Sequence, residues 1–384
     1  MHVINERDYL DVKAGSYSVR LAYTVLQDDI YLVSTDFSAR WPSALMRSGQ
    51  CNVRIGQEME RVCYPSLVVD DALKKEILNS LMNKYGMEKY GRWFSSPSKF
   101  IRLGMKARNG ASGDKEKYFS WLDDEFDSIA DQYDTHIFGN RINVYLRDRS
   151  LKLLNSTFPK KSHILEIGSG SGAETVEMLK GGHEVVAVDI SQKMLDTLSR
   201  KAGAVGLSER LTTIKLRASE LQTLTVQYRG SFDGIYSTYG AINCEPDISM
   251  LPEQMYNLTT NEGKVVMGIY NKLCVSDPML HAVGLKLNRV FERMRAPVPE
   301  GRSRFCIDVY PYSSQYISRL FGDYFRTVRV EGVPVILPPS NYSSKMFPPG
   351  KNHSFLISVD SLLSTYFPFK FIGDHFLISM KRKK

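Results

Sequence analysis

Apolar residues recur with two different periods along this chain, and the change of period divides it. Up to about residue 106 the prevailing spacing is two, as in half-buried strands. Residues 19–26 and 30–34 are β-rich runs separated by the turn composition Gln27, Asp28, Asp29, and 51–55 and 59–69 alternate around a turn at Gly56 and Gln57. Residues 42–47 predict a short helix, an amphipathic helix runs from a cap at Asp70 or Asp71 to about Tyr85, and 99–105 closes the set as a strand. Strands, short helix, hairpin, helix and strand make a small α+β, barrel-like unit over 1–106. Residues 107–117 (ARNGASGDKEK) are small, polar and charged with no apolar period, the composition of a linker.

From 118 to 384 the period alternates between strand and helix. Helices are predicted over 121–133, 141–154, 173–180 and 192–202, and strands over 164–167, 184–188, 211–216, 232–237 and 264–269. Strands alternating with helices argue for a parallel sheet covered on both faces. Five strands in this order give a doubly wound α/β core, with ligands expected at the carboxyl ends of the strands. An insert at 273–316 and an apolar stretch at 362–371 are read as cover for a site. No internal repeat is visible.

Composition changes this picture little. A chain of 384 residues, 43% hydrophobic, can bury two cores. The net charge of +8 and the basic end 381–384 would suit nucleic acid or an anionic membrane surface, but 50 basic against 42 acidic residues is a modest excess. The basic end is therefore read as a solvated tail. Five scattered cysteines, with no CxxC pair and no Cys/His cluster, indicate a reducing compartment and no metal site. No segment approaches the roughly 20 apolar residues of a membrane span, so a soluble, cytoplasmic protein is expected.

Candidate chemistry centres on residues 164–172 (ILEIGSGSG), where a strand passes into a helix through a glycine-rich turn. Glycine is needed there because the chain must turn tightly and let a ligand approach its backbone. Nineteen residues after Gly170, at the end of the second strand, stands Asp189, where an acid can accept hydrogen bonds from both hydroxyls of a ribose. A dinucleotide site prefers GxGxxG, whereas this turn is GxGxG preceded by the acid Glu166. A carboxylate at that place would repel a pyrophosphate and suits a ligand bearing an ammonium and a sulfonium. As alternatives, Glu166 caps the turn and Asp189 caps the helix from Gln192, a role open also to Ser191.

The pattern resembles motif I of class I S-adenosylmethionine-dependent methyltransferases, and the resemblance runs from Trp121 to the C-terminal end. Residues 126–134 (FDSIADQYD) look like the family's leading segment, whose tyrosine, here Tyr133, lies near the cofactor; core packing is its alternative use. Residues 189–195 (DISQKML) resemble the second motif, which implies Asp189 on the ribose and Ile190 and Met194 beside the adenine. Residues 217–220 (RASE) fall where the adenine-edge loop would be, placing Ala218 and Ser219 there, with the usual acid displaced to Glu220. Residues 232–237 (FDGIYS) resemble the fourth strand, and 261–266 (NEGKVV) the loop and strand after it. Residues 337–342 and 373–376 look like the tail of small-molecule members. The resemblance implies a Rossmann-like fold with S-adenosylmethionine held by Tyr133, Glu166, Gly168, Ser169, Gly170, Asp189, Ile190, Met194, Ala218, Ser219 and Ser237.

Methyl transfer from a sulfonium mainly requires that donor and acceptor be aligned and dry. In the loop after the fourth strand, 238–243 (TYGAIN), Tyr239 and Asn243 are candidates to position an acceptor, with packing as the alternative for Tyr239. His136 and His281 are further candidates for a base. The loop lacks the Asn/Asp-Pro-Pro-aromatic run of enzymes that methylate exocyclic amines of bases, and Cys244 lacks the preceding proline of cytosine C5 enzymes. A small, partly apolar acceptor is therefore expected, and nucleic acid is not. Residues 41–56 (WPSALMRSGQCNVRIG) with the following strand and helix resemble the split β-barrel of flavin- and deazaflavin-dependent nitroreductase-like proteins. That resemblance implies a homodimer through this unit and a bound FMN or F420; because the usual Gly-, Ser- and Arg-rich phosphate-contacting stretch is missing, a structural or dimerising remnant without a cofactor is the alternative. It leaves two rivals to a plain methyltransferase: a bifunctional reductase and methyltransferase, and a non-enzymatic S-adenosylmethionine sensor.

Overall fold

The computed structural model describes residues 9–104 apart from 16, 28, 36–38, 40, 57–59 and 69, and then 113–276, 279, 292–294, 309–339 and 354–384. Its contacts divide it into two compact units with the boundary between Ile129 and Ala130.

In the first unit, strands alternate with few helices: β1 (Tyr9–Ala14), β2 (Tyr17–Ala22), β3 (Thr24–Leu26), β4 (Asp29–Ser34), α1 (Trp41–Ser48), β5 (Cys51–Ile55), β6 (Arg61–Leu67), α2 (Asp71–Trp93), β7 (Lys99–Gly104) and α3 (Gly113–Ile129). The strands form one antiparallel sheet in the order β2-β1-β5-β6-β7-β4-β3, curled as a half-barrel. Leu10, Val12, Leu32, Leu45, Ile101 and Leu103 fill its inside. On β4 the alternate residues Tyr31 and Val33 pack instead with Ile77, Leu81 and Tyr85 of α2, so this strand is buried on both faces. Asp70 caps α2, accepting from the Ala72 N–H at 2.8 Å. The helix kinks at Gly86, beside the predicted end at Tyr85, because Gly86 takes φ 76° and ψ 161°.

Several expectations change here. The run 19–26 is not one strand: Tyr23 interrupts it because its backbone bonds to Tyr85, donating to the hydroxyl at 3.0 Å and accepting from it at 2.9 Å. β1 was not anticipated. Of the expected linker, 107–112 lies outside the described residues and 113–117 begins α3. By its contacts α3 belongs to the first unit, where Glu125 forms a completely buried ion pair with Lys99 of β7.

The second unit contains α4 (Tyr133–Phe138), α5 (Arg141–Thr157), β8 (His163–Ile167), α6 (Ala173–Lys180), β9 (Glu184–Asp189), α7 (Gln192–Ala204), β10 (Leu211–Lys215), α8 (Thr225–Tyr228), β11 (Phe232–Ser237), α9 (Leu251–Leu258), β12 (Thr259–Tyr270), α10 (Ser314–Leu320), β13 (Phe325–Val333), α11 (Ser354–Leu363) and β14 (His375–Arg382). The sheet order is β10-β9-β8-β11-β12-β14-β13. The five expected strands are parallel, and β14 runs antiparallel to both β12 and β13. Strand order reverses between β8 and β11, the switch point at whose carboxyl ends ligands of such sheets bind.

β13 and β14 correct the reading of the C-terminal region. The basic end is no solvated tail: Arg382 lies 3.8 Å over the Tyr256 ring and donates to the Thr259 carbonyl, and Lys381 pairs with Glu262. In the apolar stretch 362–371, Leu362, Tyr366 and Phe367 are exposed. Of the insert 273–316, only 273–276, 279, 292–294 and 309–316 are described. No helix among the described residues is long and apolar enough to cross a membrane.

Candidate active site

The turn after β8 is held by backbone bonds to β9: Gly168 and Ser169 both donate to the Val188 carbonyl, at 2.8 and 3.2 Å. Gly168, Gly170 and Gly172 take φ of 71°, 52° and 80°. Space adds to the requirement at two of them. A Cβ at Gly168 would stand 2.2 Å from the Ala241 Cβ, and one at Gly172 would stand 2.2 Å from Leu198 Cδ1. Asp189 closes the turn from the neighbouring strand: Oδ2 accepts from Gly170 N–H at 2.7 Å and Oδ1 from Ser191 N–H at 2.9 Å. Capping of α7 falls to Ser191, whose hydroxyl accepts from Met194 N–H at 3.1 Å. The Ser169 hydroxyl is buried and has no hydrogen-bond partner among the described residues, so the turn holds an unmet polar group.

Glu166 is placed differently from the sequence-based expectation. It is completely buried, and its Oε2 accepts from the Thr175 hydroxyl of α6. Burial pushes its carboxyl up to about 8, Glu174 and Asp189 add to the rise, and the Thr175 bond opposes it. At neutral pH it is mostly protonated, and it ties β8 to α6 rather than presenting a charge. Met194 has no exposed surface, whereas Ile190, Ala218 and Ser219 are half-buried. Ser219 is fixed by its neighbours, donating to Glu245 at 3.2 Å and accepting from Gln254 at 3.3 Å. Glu220 accepts from the Arg217 N–H, closing that loop on itself.

The leading segment reaches the same turn. The Tyr133 ring lies against Gly170, 3.7 Å from where a Cβ would be. Asp134 accepts from the Ser171 hydroxyl at 2.5 Å and pairs with Lys201, which donates to the Ser171 carbonyl at 2.9 Å. From the fourth strand, Ser237 donates to the Ile167 carbonyl at 2.8 Å and locks the ends of β11 and β8 together.

Beyond Ser237, Tyr239 adopts φ 61°, an uncommon conformation for a bulky residue. Its ring lies 4.8 Å from the guanidinium of Arg147 and nearly parallel to His375 at 6.5 Å. Asn243 is otherwise engaged than expected: its amide donates to the Tyr270 and Tyr310 carbonyls at 3.2 and 2.8 Å and accepts from Tyr270 N–H at 2.8 Å. It pins the loop to β12, and both hydrogens of its amide are engaged there. The His136 side chain and all of His281 lie outside the described residues.

Arg147 and Glu174 form a buried ion pair at 2.8 Å beside Tyr239, whose ring also faces His375, the first residue of β14, itself paired with Asp374. None of these stands out in the sequence, because Arg147 and Glu174 are 27 residues apart and His375 lies far from the loop it meets. Only the resemblance of 373–376 to a family tail marked that region.

Turn, acid and switch point together define the class: residues 164–263 match the family model described as a methyltransferase domain, and this part of the chain is a methyltransferase domain of the class I fold. Over 104 residues the chain is 29% identical to the tRNA 5-carboxymethoxyuridine methyltransferase of Escherichia coli strain K12, covering 26% of this chain and 40% of that protein. Over 66 residues it is 44% identical to the ribosomal RNA small subunit methyltransferase A of Dichelobacter nodosus, covering 16% of this chain and 25% of that protein. The chain thus spans less than half the length of either relative. Among solved structures, the Burkholderia thailandensis 1,6-didemethyltoxoflavin-N1-methyltransferase, with 1,6-didemethyltoxoflavin and S-adenosylhomocysteine bound, superposes with a TM-score of 0.44 at 15% identity, covering 72% of this chain and 93% of that one.

Proposed function

We propose that this protein transfers a methyl group from S-adenosylmethionine to a small, partly apolar organic acceptor. The observation that carries the donor is the convergence of the turn 168–172 and Asp189 at one crevice, with the Ser169 hydroxyl unpaired beside them. Asp189 supplies the acceptor for a ribose, Gly168 and Gly170 let the ligand lie against the backbone, and Tyr133, Ile190, Ala218 and Ser219 border it. Methyl transfer then asks only for alignment and exclusion of water, which Tyr239 and the loop after β11 supply. The small acceptor rests on the absence from that loop of the motifs used on bases. Similarity to a tRNA methyltransferase favours a second reading, an RNA acceptor.

Tritiated S-adenosylmethionine incubated with the protein and either a low-molecular-weight extract or total tRNA separates the two. Label in organic-soluble product supports the first, label in tRNA supports the second, and no transfer to either supports a sensor. For the first unit we propose a homodimer interface and a site for FMN or F420. Absorbance of the purified protein with added coenzyme and its mass by light scattering test these directly.

A further inference from the structure

Because β14 runs antiparallel to β12, its first residue, His375, lies opposite Tyr270 at the end of the sheet where β8 and β11 finish. The His375 ring stands nearly parallel to Tyr239 at 6.5 Å and edge-on to Tyr270 at 5.2 Å, so it faces the loop that follows β11. Its Nδ1 is 3.0 Å from Asp374 Oδ2. A carboxylate only accepts, so Nδ1 carries the hydrogen and Nε2 keeps the basic lone pair. Asp374 is itself fully buried and fixed: Oδ1 accepts from Arg293 at 2.8 Å. Arg293 also donates to the Asn271 and Asp374 carbonyls at 3.2 and 3.0 Å, and its guanidinium lies 4.0 Å over Tyr270. Burial would raise the Asp374 carboxyl, but Arg293 and His375 hold it down at about 2, so it stays ionised. The His375 side chain is 16% exposed, enough to hand a proton to water. Among the described residues, the charged and titratable groups in contact around it are Asp374, Arg293, Tyr239 and Tyr270, with Arg147 over the Tyr239 ring.

Resting on the methyl-transfer reading above, we propose that His375 is the general base for a protic oxygen acceptor, a phenol, enol or alcohol. The acceptor oxygen uses a lone pair to form the new bond to the methyl carbon, while the pair of the breaking S–C bond stays on sulfur and leaves a thioether. The O–H proton passes to His375 Nε2 and from the imidazolium to solvent. Asp374 and Arg293 are positioning residues: they fix the tautomer and stabilise the imidazolium without touching the acceptor.

The test uses the full chain, tritiated S-adenosylmethionine and a fixed panel of catechol, 4-hydroxybenzoate and 1,4-dihydroxynaphthalene, each beside its methyl ether, from pH 5 to 10. Calorimetry with S-adenosylhomocysteine runs in parallel. The expected result is turnover of at least one phenol and of no ether, rising with pH along a one-proton limb. His375→Gln should lower it about 100-fold or more at neutral pH, recovering as the phenol ionises by itself, with unchanged S-adenosylhomocysteine affinity. Asp374→Asn should displace the limb and lower turnover less. An unaltered rate and limb in His375→Gln, or no transfer to any phenol by a protein that binds S-adenosylhomocysteine, would overturn the proposal. Failure to bind S-adenosylhomocysteine would instead sink the methyl-transfer reading beneath it.

Discussion

Replacing Glu166 by Gln should stabilise the second unit at neutral pH. The carboxyl is completely buried between β8 and α6, and burial raises it from the ordinary 4.5 to about 8. A group whose folded value lies above its unfolded value contributes stability that is complete below the unfolded value and is lost as pH rises to the folded one. The full window, about three and a half units, corresponds to ~5 kcal/mol, of which about 3 kcal/mol has gone by pH 7. Gln removes the ionisation and keeps an oxygen to accept from the Thr175 hydroxyl. Its stability should therefore stay flat between pH 5 and 8 where that of the parent falls, and exceed it by about 1 to 3 kcal/mol at pH 7. Urea unfolding across that range, with hydrogen exchange of β8 and α6 as a local readout, measures both. Parallel curves for the two proteins would refute the assignment of a protonated internal carboxyl.

Further outcomes follow from other buried groups. Asp360 is fully buried and accepts from the Val335, Ile336 and Leu337 N–H groups and from the Tyr145 hydroxyl, so Asp360→Ala should cost about 4 kcal/mol in urea unfolding and Asp360→Asn less. Lys99→Met leaves the Glu125 carboxyl, which burial already pushes up, without its cation in the first unit and should cost about 3 to 5 kcal/mol, while Lys99→Met with Glu125→Leu should return near parental stability. Gly168→Val, with φ 71° and its Cβ on Ala241, should weaken S-adenosylhomocysteine binding about 100-fold or more by calorimetry.

What was legible in the sequence was local. The turn at Gly168, the acid at Asp189 and the strands that present them lie within some 25 residues, and their periods and glycines follow from short-range geometry. β14 was missed because Phe376, Leu377 and Ile378 are consecutive apolar residues and 376–380 is buried on both faces, which leaves no alternation to announce a strand. β13 was missed because Arg326, Arg329 and Glu331 break its apolar pattern; Glu331 is buried and paired with Arg149 and Arg329, a compensation that only the fold reveals. β1 does alternate, with Leu10, Val12 and Ala14 inward, but charged neighbours masked it. In the site, Asn243 read as a substrate contact because its use as a backbone pin depends on Tyr270 and Tyr310, and His375 was overlooked because a pair drawn together across the sheet leaves no spacing to find.

The central claim is that the turn 168–172 and Asp189 hold S-adenosylmethionine. Calorimetric titration of the full chain with S-adenosylhomocysteine and, separately, with NAD tests it most directly. Saturable one-site binding of S-adenosylhomocysteine, severely weakened in Asp189→Ala and absent with NAD, is the predicted result; binding of NAD in preference, or of neither ligand, would contradict the account.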